Sequence, residues 1–437
     1  MERAGAWGFT RFGKGSKMNT IKILFERWWV VLVLVAFLPF FYNVALANEQ
    51  SDSVDYLNNS FFTFWLSGQM AWTDAHPYSS ADWVGGHHAN GAEWIPNQIF
   101  PYPLPLALLT APLGLLPISQ AYILWTFLSQ ATVAVVVLGL TAFWEGLNRR
   151  LFAIFILVAL VLNGNIILML LVGTIGSLFL LFLFLALYFK HKGWDVAAGM
   201  VLALLALKPP LLAIVALVGL WLLVRRDWKM IAGIVAGGLA LLVIGMLQDV
   251  EWVAKFRGAS ENLFNMRLGN QPTIISYTRL ACGGDMACAL SFYIVISLAL
   301  VGLYAWLVWK RRDTLSPMAV FSAAIPLGVL LPPYLWSYDY VLLVLPICYV
   351  CLELIRRTKT YIFAILFLLV LDSLSLVALY LFWQNPESNA LTIQRDMWSI
   401  WVAILVLATS WSLVFLLRER DEPQQAPGSV IEGGLPS

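Results

Sequence analysis

The sequence predicts an all-α, polytopic membrane protein with about twelve transmembrane helices, and three observations carry that prediction. Of 437 residues, 60% are hydrophobic and 12% charged, an apolar excess that a water-soluble core cannot hide but a bilayer can. Apolar runs long enough to cross a ~30 Å hydrocarbon layer recur between charged or turn-forming clusters. The Lys and Arg residues between those runs gather in alternate loops, on one side, in the way that orients membrane proteins.

The runs lie near 28–47, 119–143, 151–164, 167–189, 195–207, 210–224, 229–247, 289–309, 315–332, 340–355, 361–383 and 397–417. The first follows a basic segment but is long for a signal-peptide core, so it reads as a retained span. Tryptophans gather near span ends, as at Trp28, Trp29, Trp221, Trp228 and Trp411, where indole rings favour the interface. The stretch from Phe100 to Leu116 is also apolar, but Pro101, Pro103, Pro105, Pro112 and Pro117 interrupt or bound it. Proline removes a helix donor and clashes with the preceding turn, so this piece is expected to be re-entrant or interfacial and buried against protein.

With a cytoplasmic N-terminus the inside segments carry 21 Lys/Arg and the outside ones 6, the sign the positive-inside rule requires. Counting Phe100–Leu116 as a crossing would invert every later basic cluster. The expected organisation is a cytoplasmic segment over 1–27, a transmembrane domain over 28–417 and a disordered cytoplasmic tail over 418–437. Two outer loops are long, 48–118 and 248–288, and long loops on a rigid scaffold are where function is sought. A net charge of +2 with no basic stripe argues against nucleic acid.

Cys282 and Cys288, spaced as CGGDMAC in the second outer loop, are expected to form a disulfide on the oxidising face. Cys348 and Cys351 sit in an apolar run without a His or carboxylate to complete a metal set, and read as packing residues. The first outer loop gathers Asp52, Asp55, Asp74, Asp82 and Glu93 with His76, His87 and His88, beside Phe64, Trp65, Trp72, Tyr78, Trp83 and Trp94. Carboxylates, imidazoles and aromatic faces at this density suit a sugar site better than a plain solvated loop.

These pieces resemble glycosyltransferase family 87, polytopic enzymes of the GT-C class. The resemblance runs in order through FFTFWLSGQMAWTDAHPY at 61–78, FPYPLPLALLTAPLGLLP at 100–117, the Ala121, Leu124 and Trp125 pattern and NGN at Asn163 to Asn165. It continues through LALLALKPP ending at Pro210, GNQP at Gly269 to Pro272 and LPPYLWSYDYVLLVLP at Leu331 to Pro346. It implies transfer of a mannose-like sugar from a polyprenyl-phosphate donor to a hydroxyl of a glycan or glycolipid acceptor outside the cell membrane, with inversion. The lipid-linked sugar would be a co-substrate; no cofactor or metal is implied.

Such chemistry needs a carboxylate base at the acceptor hydroxyl and cations for the charge developing on the lipid phosphate. In the family the base is an aspartate soon after the first span, eight residues before the glycine matching Gly68; here that position is Ser60. A serine cannot replace it, so Asp55, with Asp52 beside it, is the expected base, and Asp74 and Glu93 are the alternatives. Lys208, at the end of an apolar run before Pro209-Pro210, is the leading cation, with Arg257, Arg267 and Arg279 behind it. The expected substrate-binding set is Ser60, Trp65, Tyr78, His87, His88, Tyr102, Lys208, Gln271, Trp336, Tyr338 and Asp339. Asp372, within a span, reads as a polar link between helices through Ser373 and Ser375. A transporter or flippase of lipid-linked glycans is the rival reading, weakened by the absence of any internal repeat; an inactive homologue, suggested by Ser60, is another.

Overall fold

In the computed structural model the residues described are 17–51, 57, 59–92, 95, 99–140, 149–258, 271–383 and 397–416. Among them the chain is helical with no strand. The elements are α1 (Lys17–Glu49), α2 (Ser60–Met70), α3 (Ser80–Ala89), α4 (Leu104–Thr110), α5 (Ile118–Leu140), α6 (Arg149–Val161), α7 (Gly164–Val172), α8 (Gly176–His191) and α9 (Asp195–Ala203). After them come α10 (Leu212–Arg225), α11 (Trp228–Gln248), α12 (Ile274–Ala281), α13 (Met286–Arg311), α14 (Pro317–Leu330), α15 (Val344–Thr358), α16 (Ile362–Trp383) and α17 (Ile400–Trp411).

Among the described residues six helices are long and apolar enough to cross a membrane, a bent pair makes a seventh if it counts as one span, and five shorter apolar helices accompany them. This is the architecture of a multi-pass membrane protein. Polar caps start several of these helices in place: Asn59 accepts from the Phe61 amide, Asp227 from Met230 and Ser316 from Ala319. The runs at 151–164 and 167–189 are divided differently from the sequence reading. Helix α6 stops at Val161, Asn163 caps α7, and the α6–α7 pair bends by 59°. A second break follows at Gly173, which is left-handed (φ 66°) and ends α7, so that α8 begins only at Gly176.

The centre is built by α14 and α15. Helix α14 is buried from Ala319 to Leu330, and the segment leading into α15 is buried at Ser337 and from Asp339 to Leu343. Helices α10 and α17 pack on α14, α8 packs on the 337–343 turn, and α1 packs on α5. The Phe100–Leu116 piece is a seven-residue helix and a 3-10 turn lying against α2, with Leu104, Leu106 and Ala107 fully buried. Its closeness to α2 is set by glycines: a Cβ at Gly114 would stand 2.2 Å from the Gln69 nitrogen, and one at Gly68 2.4 Å from the Thr110 oxygen.

Candidate active site

Two groups of residues meet beside this centre. The first is the aromatic body of α2. Phe61, Phe62, Phe64 and Trp65 are all buried; Phe64 stacks on Trp125 at 5.8 Å, and the Trp125 indole donates to the Gly173 carbonyl at 3.0 Å. Trp65 donates to Leu116 O at 3.0 Å. Every position of α2 from Phe61 to Gly68 is therefore packed against protein, and its aromatic rings form no open wall. Ser60 is half-buried at the start of this helix, immediately after the cap Asn59.

His87 is held between Phe62 (4.9 Å) and Trp83 (5.0 Å), with Nδ1 2.8 Å from the Trp83 carbonyl. Burial pushes its pKa down, so the ring is a neutral packing group, while His88 is exposed. Tyr78 donates to the Tyr102 carbonyl at 2.6 Å, and burial raises its hydroxyl pKa. The Tyr102 ring lies half-buried against Phe64 and Phe100.

His76 does work that the sequence reading did not assign. Its Nδ1 accepts from the Tyr78 amide at 3.1 Å, which in the neutral ring leaves the proton on Nε2, 2.9 Å from the Asp249 carboxylate. Asp249 also accepts from Lys255 at 2.9 Å, and Asp82 accepts from the His76 amide at 3.0 Å. The two outer segments are thereby tied together at the end of α11. The signal available in the sequence was only the presence of opposite charges in both segments.

The second group surrounds Lys208. The rise from Asp195 to Leu207 is roughly 22 Å, short of a full crossing, so Lys208 ends its helix within the protein and is 3% exposed. Its ammonium meets both Asp339 oxygens, at 2.5 and 2.6 Å, and lies 5.4 Å from the Tyr338 ring. Asp339 in turn accepts from the Trp336 amide at 3.4 Å, and Trp336 stacks on Tyr338. A lysine so engaged is a pin that fixes the 336–343 segment, and its charge is balanced. Gln271 is fully buried close by, its amide bonded to Ser276, and Tyr340 donates to the Pro272 carbonyl. The buried hydroxyls of Thr174 and Thr273 find no hydrogen-bond partner among the described residues.

Between α1, α5, α6 and α7 runs an apolar cleft of about 170 Å³, lined by Phe41, Val44, Val133, Leu157 and Leu170 among others. Its polar lining residues are Gln130, which donates to Phe41 O, and Asn48. Leu171, also in the lining, accepts from Asn59 at 3.5 Å, which places the cleft beside the cap of α2 and one residue from Ser60 in sequence. Asp52, Asp55, Glu93, Trp94 and Arg267 lie outside the described residues, as does the 418–437 tail. Ser51 and Leu57, which flank Asp52 and Asp55, are described, and both are half-buried.

Matching with known families decides the assignment: the sequence matches glycosyltransferase family 87 over residues 100–346. The chain belongs to that family. No curated protein and no solved structure matches it. The family 87 segment holds Tyr102, Lys208, Gln271, Trp336, Tyr338 and Asp339, whereas Asp52, Asp55 and Ser60 precede it. The bent α6–α7 pair also falls in the family 87 segment. At its bend Asn163 donates to Asp372 at 3.0 Å and the Gly164 amide donates to Ser375 at 2.9 Å. Asp372 and Ser375 do link helices, as read from the sequence, while Ser373 faces outward beside Val370 and Trp398.

Proposed function

We propose that this family 87 glycosyltransferase moves a mannose-like sugar from a polyprenyl-phosphate donor to a hydroxyl of a glycan or glycolipid, on the extracytoplasmic face and with inversion. One observation carries the reading: the apolar cleft is lined by Asn48 and by Leu171, which accepts from Asn59, the residue before Ser60. An apolar cleft flanked by transmembrane helices suits a prenyl chain, and its place at the 48–60 segment would deliver the sugar phosphate to the carboxylates of that segment.

In this reading all twelve apolar segments cross the cell membrane, the short and broken ones included, with both termini cytoplasmic. The 21-to-6 charge bias supports that orientation. Asp55 takes the proton of the acceptor hydroxyl as that oxygen attacks the anomeric carbon, and the polyprenyl phosphate leaves with the bonding pair. Because Asp339 already balances Lys208, Lys208 is a positioning residue, and the exposed Arg257 and half-buried Arg279 meet the charge on the leaving phosphate. Tyr102, Trp336 and Tyr338, each half-buried, are the aromatic faces left to a sugar.

The test is transfer by the purified chain in lipid nanodiscs, offered a panel of polyprenyl-phosphate hexoses and followed by release of polyprenyl phosphate. Asp55→Asn should cut turnover by ~10²–10⁴-fold with little change in donor binding. Full activity of that variant with loss in Asp74→Asn or Glu93→Gln would move the base, and donor translocation without bond cleavage would favour the flippase.

A further inference from the structure

The opposite end of the molecule holds a basic corner that sugar transfer does not use. Residues 190–195, 225–229 and 310–313 contain eight Lys/Arg and three Asp, a net charge of +5. Two contacts bring these three turns together: Lys190 bonds both Asp195 and Asp227, and Arg225 donates to the Arg312 carbonyl at 3.1 Å. Two of the three carboxylates are thus taken by one buried-side lysine. Of the remaining cations, three sit on indole faces, and Arg312 also pairs with Asp313 at 3.5 Å. Arg225 lies over Trp221, Lys310 over Trp306 at 4.9 Å and Arg312 over Trp309 at 4.9 Å. Trp306 and Trp309 are themselves 54% and 60% exposed, and Trp194 and Trp228 are exposed on the neighbouring turns.

A neighbouring basic turn shows that this arrangement is specific. At 356–359, Arg356 and Arg357 both bond Glu353, and Arg357 also donates to Leu413 O. Those two arginines share one buried carboxylate, Glu353, whereas the corner offers cations and indole N–H groups together at the ends of apolar helices. Cations on exposed indoles at that level meet the phosphate region of a leaflet. We propose that this corner binds the phosphate of an anionic phospholipid whose headgroup carries no compensating amine, in the leaflet that these three turns face. Charge complementarity chooses the partner: a zwitterionic headgroup would bring its own cation against Lys310 and Arg312.

The purified full chain, offered equal amounts of phosphatidylglycerol and phosphatidylcholine and weighed with its retained lipids by native mass spectrometry, should keep the former. The preference should weaken as salt rises. The combined Arg225→Gln, Lys310→Gln and Arg312→Gln variant should lose about tenfold or more of it. Because Arg225 also braces the Arg312 turn, Lys310→Gln alone provides the second reading, a smaller loss in the same direction. Lys359→Gln, an exposed charge of the other turn, should keep the preference. Equal retention of the two lipids by the unaltered chain would overturn the proposal, as would a loss in Lys359→Gln as large as in Lys310→Gln.

Discussion

The span from Ser337 to Thr358 and the span from Met286 to Arg311 are both strongly apolar, with mean hydropathies of 1.8 and 2.3, yet 89% of the first is buried inside the protein and 6% of the second. Hydropathy makes a helix enter the bilayer, but lipid tails are as apolar as leucine, so it does not decide which helices gather at the centre. Polar contacts and close packing decide that. The central span is pinned by Lys208–Asp339 and by Tyr340 on Pro272. The outer span is attached along one edge, through Tyr304 to Leu217 O and Tyr293 to Leu331 O.

Breaking the central pin should have the largest effect. Lys208→Ala leaves the Asp339 charge buried and unpaired, at a cost of about 3–5 kcal/mol; the temperature at which the purified protein inactivates should drop sharply, and sugar transfer should be lost with it. The next test is the latch at the bend: Asn163→Ala removes the bond to Asp372 and should cost about 1 kcal/mol, the usual scale for interhelical hydrogen bonds in membranes. On the outer span, Leu298→Ala at a position 66% exposed should change stability by less than about 0.5 kcal/mol. A loss at Leu298 equal to that at Lys208 would show that the exposed face is covered by a partner.

The smallest effect concerns the outer clamp. Partial burial pushes the Asp249 carboxyl up, but the Lys255 and Glu251 hydrogen bonds outweigh it and hold the pKa below its ordinary 3.8. A carboxyl lowered in the folded state contributes stability above its ordinary value and loses it as pH falls through the folded one. Proteolysis of the outer segments should therefore quicken only at strongly acid pH, and Lys255→Gln should flatten that dependence.

This comparison also shows what was legible in the sequence. Span positions were, because a bilayer demands long apolar runs, and Lys208 and Asp339 stood out because charge amid such runs is rare. That the two charges meet was not legible, since 131 residues separate them and no local period links them. The break near Asn163 fell between the runs at 151–164 and 167–189, but the one at Gly173 was hidden inside the second run, where a single left-handed glycine does the breaking. The surroundings of His87 were not legible for a related reason: a histidine in an aromatic loop suits a sugar site and a packed wedge equally, and its position between Phe62 and Trp83 comes from the fold.

The central claim, that a lipid-linked donor lies in the cleft beside Ser60, is tested most directly by a polyprenyl phosphate carrying a photoreactive group on its chain. Crosslinked peptides should map to α1, α5, α6 and α7 around Phe41, Val133, Leu157 and Leu170, and unlabelled polyprenyl-phosphate sugar should suppress them. Adducts confined to the exposed face of α13, or adducts in the cleft that the donor does not suppress, would contradict it.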